Sequence, residues 1–343
     1  MTKNISHAIK TKLGRTPAKV MVIGDIMLDT FKYGQARYNP EDHIAPCIDV
    51  RKETSALGGA ANVANNVVEL NGKVLLYGMV GEDQEGERIQ RMMEERGIKF
   101  HPAYDGRQTT QKVRIMEMER NRMAARYDRE DRTPISRKTQ RAMLSKIEED
   151  MGGVEAVILS DYGKGIFSGW FTKRIIEEAG KYGVPVISDC KPENVRMFRH
   201  STLICPNTKE AAEITRIKIP EEGKGWEAMA KKLEVMVKVR YVVITRGAEG
   251  MISWESGGEM RTVMNAAREV YDVTGAGDTV AATLAVCMAK KYSHNSEETE
   301  FSIHDAAEVA NHAGGIVVGK MGTATTTLDE IVSHAYASTM EER

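Results

Sequence analysis

The chain has 343 residues, enough for one large α/β domain or two ordinary ones with a sizeable core. Its 48 basic and 49 acidic side chains leave a net charge of −1, so no overall field recruits nucleic acid or a membrane surface. Four cysteines (Cys47, Cys190, Cys205, Cys287) lie far apart with no C-x-x-C pair, which argues against a disulfide framework or zinc site and suits reduced thiols in the cytoplasm.

The first twenty residues carry five basic side chains and no acidic one, yet lack the apolar core of a secretion signal. Residues 1–18 read as an N-terminal extension, a solvated leading helix in preference to an organelle transit peptide. No apolar run approaches the roughly 18 residues that span a bilayer. Downstream, "KVMVIG" (19–24), "KVLLYGMVG" (73–81), "AVILSD" (156–161), "VPVISD" (184–189), "STLICPN" (201–207) and "YVVITRG" (241–247) read as buried strands. Helical patterns at 59–70, 84–96, 168–182, 208–215 and 225–237 lie between them, with Gly97 and Gly183 placed as C-terminal stops. This alternation predicts βαβ units around a mostly parallel sheet covered on both faces. Residues 31–53 and 104–132 break the rhythm. They are polar, β-prone and interrupted by turn residues, and read as short antiparallel strands outside the main sheet, a small β lid over its ligand-binding edge.

Several stretches carry candidate chemistry. "GDIMLD" (24–29) ends the first strand with Asp25 and Asp29; Asp29 could accept sugar-like hydroxyls or be a turn residue. In "LGGAANVANNVVEL" (57–70), Gly58 and Gly59 open a helix and Asn62 lies one turn in, which serves a hydroxylated ligand or close helix packing. "PNTKE" (206–210) puts Asn207 at a strand end with Glu210 three residues on. That is the spacing of a capping box, and also of a pair that holds Mg²⁺ through water. "TRGAEG" (245–250) offers Thr245 and Gly247 to nucleotide phosphates.

In "VYDVTGAGDT", Gly275, Ala276 and Gly277 bare the backbone where a helix begins, and free N–H groups at a helix start attract anions. Asp278 then sits beside the anion, placed to take a proton from an attacking hydroxyl. Turn glycines with a capping Asp are the plainer alternative. A Walker lysine is absent, as is G-x-G-x-x-G after the first strand. His304 and His312 have no metal spacing, 280–289 reads as core, and "RYDREDR" (126–132) reads as a solvated turn.

Taken together and in order, "GDIMLD", "GGAANVA", "SDYGKG", "PNTKE", "TRG" and "DVTGAGDT" resemble the ribokinase-like (PfkB) carbohydrate kinases over residues 19–330. Within that family, "GDIMLDTFKYG", "LSDYGKG", "EVYDVTGAGDT" and "AGGIVVGKMGTAT" look like the heptose 7-phosphate kinases, which phosphorylate the anomeric hydroxyl of D-glycero-β-D-manno-heptose 7-phosphate in ADP-heptose synthesis. The resemblance implies a ribokinase-like α/β domain with lid segments at about 31–53 and 104–128 and a tail at 331–343. It implies Gly275, Ala276 and Gly277 as the anion hole for the γ-phosphoryl group, with Asp278 as the base. ATP falls to Asn207, Thr208, Lys209, Glu210, Thr245 and Gly247, and the sugar to Asp29, Glu41, Gly58, Gly59, Asn62 and Lys191. Mg²⁺, held through water by Asn207 and Glu210, a monovalent cation such as K⁺, and a homodimer in the cytoplasm also follow. Asp278 is expected to be held ionised by the helix N-terminus, as a weak base.

Two lid segments depart from the heptose-kinase pattern. "RYNPEDHIAPCI" keeps Arg37, Pro40 and Glu41 but is one residue longer afterwards, and "RNRMA" replaces the two glutamines of R-N-Q-Q-L with Arg122 and Met123. A fructokinase- or ribokinase-like activity is therefore the rival reading. Arg37, Arg122, Lys164 and Lys191 are candidates for a substrate's distal phosphate. H-x-G-H, the motif of the second catalytic domain in bifunctional relatives, does not occur, so the kinase step alone is expected.

Overall fold

The computed structural model describes residues 9, 13–14, 16–37, 47–119, 122–221, 223–264, 270–291 and 301–341. The chain begins with strands β1 (Lys19–Gly24), β2 (Ile26–Arg37) and β3 (Cys47–Gly59), then helix α1 (Ala60–Glu69) and β4 (Lys73–Met79). Helix α2 (Gln84–Glu95), β5 (Lys99–Ala103), β6 (Gln111–Glu117), β7 (Arg122–Arg129) and α3 (Arg137–Met151) follow. Next come β8 (Ala156–Ser160), α4 (Gly169–Lys181), β9 (Val186–Asp189), β10 (Leu203–Ile204) and α5 (Thr208–Thr215). The last elements are α6 (Gly223–Val237), β11 (Tyr241–Thr245), β12 (Met251–Glu255), β13 (Met260–Val263), α7 (Ala276–Lys291), α8 (Ile303–Val317) and α9 (Leu328–Glu341).

Nine strands form the main sheet in the order β13-β12-β11-β10-β9-β8-β1-β4-β5. Pairing is parallel from β5 through β11, and β12 and β13 close one edge antiparallel. Strand β1 lies inside and is apolar on both faces. Val20 and Val22 enter one core, with α1, α2, α7 and α8, while Met21 and Ile23 enter the other, with α3, α4 and α6. The period-2 pleat produces that division. Helix α7 is buried on every side from Val280 to Ala289, as its unbroken apolar sequence requires. Gly97 and Gly183 adopt φ of 67° past the ends of α2 and α4.

A second sheet of four strands, β3-β2-β6-β7, grows from the carboxyl end of β1. The expectation of short strands is corrected here. β2 has 12 residues and β3 has 13, because β2 starts one residue after β1 ends and keeps its inner half, Ile26–Thr30, buried before running outward. Asp29 accordingly sits inside a strand, not at a strand end. Residues 126–129, the first part of the charge run 126–132 read as a solvated turn, belong instead to the exposed strand β7. At the start of the chain Ile9 and Leu13, four apart, are buried in the core, so the leading segment is not wholly solvated. Beyond residue 330 the expected tail is instead the body of α9, whose Ile331, Val332 and Ala335 are buried. Among the described residues no helix is long and apolar enough to cross a membrane.

His312 of α8 is buried, with Nδ1 3.1 Å from Nδ1 of His334 on α9. Burial first, and His334 second, push its pKa from 6.5 down to about 4. A depressed histidine contributes stability that is present above its unfolded pKa and is lost as pH falls toward its folded one. Urea unfolding of the wild type should therefore weaken between about pH 6.5 and 4.5 relative to His312→Gln. Parallel pH profiles for the two proteins would contradict a neutral buried imidazole.

Candidate active site

The loops at the carboxyl ends of β1, β8 and β9 are tied together by buried carboxylates. Asp25, one residue past β1, accepts the backbone N–H groups of Tyr162 at 2.8 Å, Lys164 at 3.0 Å and Ile166 at 3.4 Å. Burial nevertheless raises its pKa to about 6, because the amide bonds offset only part of the lost hydration. Asp161 accepts Gly163 N at 2.8 Å and Asn194 Nδ2 at 2.9 Å. The "SDYGKG" segment is thus pinned from both sides.

Asp278 lies in the first turn of α7 and is buried. Asn62 Nδ2 of α1 donates to its Oδ2 at 2.6 Å, and the Tyr162 hydroxyl donates to its Oδ1. Burial is the largest influence on Asp278 and raises its pKa to about 6; the Tyr162 and Asn62 bonds pull down, Asp29 pushes up and Lys112 pulls down. This corrects the expectation of a weak base: the group remains mostly ionised at pH 7 but is a stronger base than an ordinary aspartate. Removal from water outweighs the Tyr162 and Asn62 bonds and pushes the carboxyl up to about 6. With its Nδ2 committed to Asp278, the buried Oδ1 of Asn62 has no hydrogen-bond partner. A buried carbonyl in that state calls for a donor.

The bared backbone before α7 has two separate causes. Gly275 has φ of 82°, and a Cβ there would come within 2.9 Å of Asn62 Nδ2. Around Gly277 no atom lies within 4 Å of a built Cβ, so that position faces open space. Gly58 packs against Asp29, where a Cβ would approach Oδ2 to 2.5 Å. Gly59, at φ 58°, lies against the Asp25 carbonyl.

Arg114 Nη1 of β6 meets Asp29 Oδ1 at 2.7 Å, and both side chains are largely buried. Lys112 stands two residues earlier on the same face of β6, and burial lowers its pKa. Its Nζ is 5.7 Å from the centre of the Tyr162 ring, and Lys191 Nζ is 5.6 Å from that same ring. Each basic residue considered for a distal phosphate is in an ion pair. Arg37 meets Asp49 at 3.1 Å, Arg122 meets Glu117 at 2.7 Å, Lys191 meets Glu210 at 2.9 Å, and Lys164 meets Glu130. Glu41, Pro40, Arg120 and Asn121 lie outside the described residues.

Asn207 and Glu210 do form the capping box of α5. Asn207 Oδ1 accepts Lys209 N and Glu210 N at 3.0 Å, and Glu210 Oε2 accepts Asn207 N at 3.1 Å. Thr208 Oγ1 donates to Thr245 O at 3.0 Å, joining this turn to the end of β11, while the Lys209 side chain is exposed. A cleft of about 390 Å³ then brings Thr245 and Gly247 together with Ala276 and Gly277. Its other walls are mostly apolar, with Val273, Val280 and Gly314, and Asn311 supplies a polar group. Asp189 is pushed up to about 7 by burial first, then by Glu210 and Asp278. Among the described residues no group of three or more His, Cys, Asp or Glu side chains is arranged to hold a metal ion.

The structure thus gathers Asp29, Gly58, Gly59, Asn62 and Gly275–Asp278 at one place and Asn207–Glu210, Thr245 and Gly247 beside it. Tyr162, Lys112 and Arg114 were assigned no role from sequence. The signal for the last two is the alternation in "KVRI", which puts Lys112 and Arg114 on one face and buries Val113 on the other.

Comparison with known proteins agrees with this architecture. Residues 17–330 match the pfkB family carbohydrate kinases, and the chain belongs to that family. It is similar to "Bifunctional protein HldE" of Caulobacter vibrioides, with 38% identity across 98% of this chain and 66% of that protein. The protein of the same name from Wolinella succinogenes is 36% identical over 93% of this chain and 65% of its own length. The chain therefore spans about two thirds of these relatives. Among solved structures, Arabidopsis thaliana ribokinase complexed with ribose and ATP superposes with a TM-score of 0.70 at 19% identity, covering 93% of this chain and 99% of that one. Escherichia coli phosphofructokinase-2 with fructose-6-phosphate gives 0.75 at 16% identity over 94% and 99%. These two likenesses establish the fold.

The Asp29–Arg114 pair gives a stability test. Arg114→Leu strands a buried carboxylate and should cost roughly 3 kcal/mol in urea unfolding. Arg174→Ala breaks an exposed pair with Glu148 and should cost about 1 kcal/mol or less. Equal losses would contradict the burial argument.

Proposed function

We propose that the protein transfers the γ-phosphoryl group of ATP to the anomeric hydroxyl of D-glycero-β-D-manno-heptose 7-phosphate, forming the 1,7-bisphosphate for ADP-heptose synthesis. The observation that carries this reading is Asp278, a buried carboxylate titrating near 6, in the first turn of a helix whose start also fronts the Thr245–Gly247 cleft. A proton acceptor and an anion-attracting helix start at one point suit phosphoryl transfer to a hydroxyl. Family membership supports the kinase chemistry. The heptose motifs and the similarity to the HldE proteins support the sugar.

In this reading ATP lies along Asn207–Glu210, Thr245 and Gly247, with its γ-phosphate at Gly275–Gly277, and Gly277 leaves room for the approach. Asp29, Gly58, Gly59, Asn62, Lys191 and Glu41 hold the sugar, and the unpartnered Asn62 Oδ1 accepts a sugar hydroxyl. Asp278 orients the acceptor hydroxyl and takes its proton as the new O–P bond forms and the bond to the ADP oxygen breaks. Asn207 and Glu210 would hold Mg²⁺ through water beside the Lys191–Glu210 pair. When bound, Mg²⁺ supplies charge neutralisation on the phosphates. The four-stranded sheet closes over the sugar as a lid and excludes water. We also place a homodimer contact on that sheet, where Val50, Met123 and Tyr127 are exposed, and the protein in the cytoplasm, consistent with its free cysteines. Sedimentation equilibrium reads the first point, and a concentration-independent monomer contradicts it.

A panel of heptose 7-phosphate, fructose, fructose 6-phosphate and ribose, followed by ADP release, tests the substrate. The highest kcat/KM should belong to heptose 7-phosphate; preference for another sugar favours the fructokinase- or ribokinase-like rival. With the preferred sugar, kcat/KM should fall below about pH 6 as Asp278 gains a proton. Asp278→Asn should lower kcat by roughly 10²-fold or more while ATP binding persists. Undiminished turnover in that variant rules out Asp278 as the base.

A further inference from the structure

Both oxygens of Asp278 are engaged before any substrate arrives. Asn62 donates to Oδ2 at 2.6 Å from α1, and the Tyr162 hydroxyl donates to Oδ1 from the loop after β8. The two donors approach from different elements and hold the carboxylate against rotation about its own axis. Tyr162 is itself fixed at its other end, where its N–H meets Asp25 Oδ2 at 2.8 Å. Two ammonium groups lie over its ring, Lys112 at 5.7 Å and Lys191 at 5.6 Å from the centre. Simple packing requires none of this polar geometry.

We propose that Tyr162 is a positioning residue for the transfer: its hydroxyl, acting opposite Asn62, fixes the plane of the Asp278 carboxylate so that a remaining lone pair meets the acceptor hydroxyl. The proposal rests on the reading of Asp278 as the base. Tyr162 cannot take that part, because burial and the Asp278 charge hold its phenol well above its ordinary value. It stays protonated and only donates. The groups facing Asp278 are Asp29 from β2, Lys112 from β6, Asn62 from α1, Tyr162, and Asp189 from β9. Of these, the Tyr162 bond is the largest influence that favours the ionised form. Its loss therefore moves the titration of Asp278 to higher pH.

Tyr162→Phe in the full chain keeps the ring beside the two lysines and deletes only the donor. A hydrogen bond to a charged group is worth about 10- to 100-fold, so kcat should fall by that order while the KM for ATP stays nearly constant. The acid limb of kcat/KM should move to higher pH by about 1. Fluorotyrosine incorporated at position 162 preserves the shape and strengthens the donor, and should move the limb to lower pH. This second protein keeps the proposal testable if the Phe variant folds poorly. An unchanged acid limb in either protein, or wild-type kcat in folded Tyr162→Phe, overturns the proposal. Asp278→Asn assayed alongside separates the two readings: if it is inactive while Tyr162→Phe is normal, only the positioning role fails; if it is active, the base assignment fails.

Discussion

The site depends on keeping one carboxylate out of water. Asp278 stands in the first turn of α7, a helix so apolar that it runs through the core, and it is buried there although Gly277 beside it is exposed. An isolated buried carboxylate is costly. Here Asn62, 216 residues away in sequence, and Tyr162, 116 residues away, supply its hydrogen bonds. A parallel sheet that collects distant loops at one edge makes such a meeting possible. Thr279 Oγ1, 2.7 Å from Asn66 Oδ1, locks α7 to α1 one turn further in and keeps Asn62 in reach.

The same burial sets a tension between stability and chemistry. Asp25, Asp189 and Asp278 are all raised, to about 6, 7 and 6. A carboxylate raised above its unfolded value contributes stability at low pH, and that contribution is lost as pH rises through the folded pKa. Near pH 7 the folded protein thus carries the cost of dehydrated charge at Asp25 and Asp278 and part of it at Asp189, which is about half ionised there. Asp25 uses its charge to collect loop amides. Asp278 gains basicity, and Asp189 adds to a negative region where a cation is welcome. Arg114, Lys112 and Lys191 bring positive charge to the same region, which suits anionic substrates.

Much of the main sheet was legible because its strands are buried on both faces and read as continuous apolar runs between glycine-stopped helices. The gathering of Gly58, Asn62 and Asp278 was legible from motifs in order. The second sheet was harder. Strand β2 continues β1 after a single residue, and its outer half is polar, so the pattern reads as a break where the chain runs on. Strand β7 is exposed throughout, and its charges resemble a turn. Tyr162 was invisible as a site residue, because a tyrosine beside glycines has no intrinsic chemistry until a distant carboxylate meets it. The basicity of Asp278 was misjudged for a related reason. A helix start is visible in sequence, but the degree of burial around it is a tertiary property.

The central physical claim is that burial, moderated by two donors, makes Asp278 a base that works near neutral pH. It can be read directly by ¹³C NMR titration of protein labelled at aspartate carboxyl carbons, with the Asp278 signal identified by its absence in Asp278→Asn. The account predicts a midpoint near 6. A midpoint at or below the ordinary aspartate value of 3.8 would contradict it.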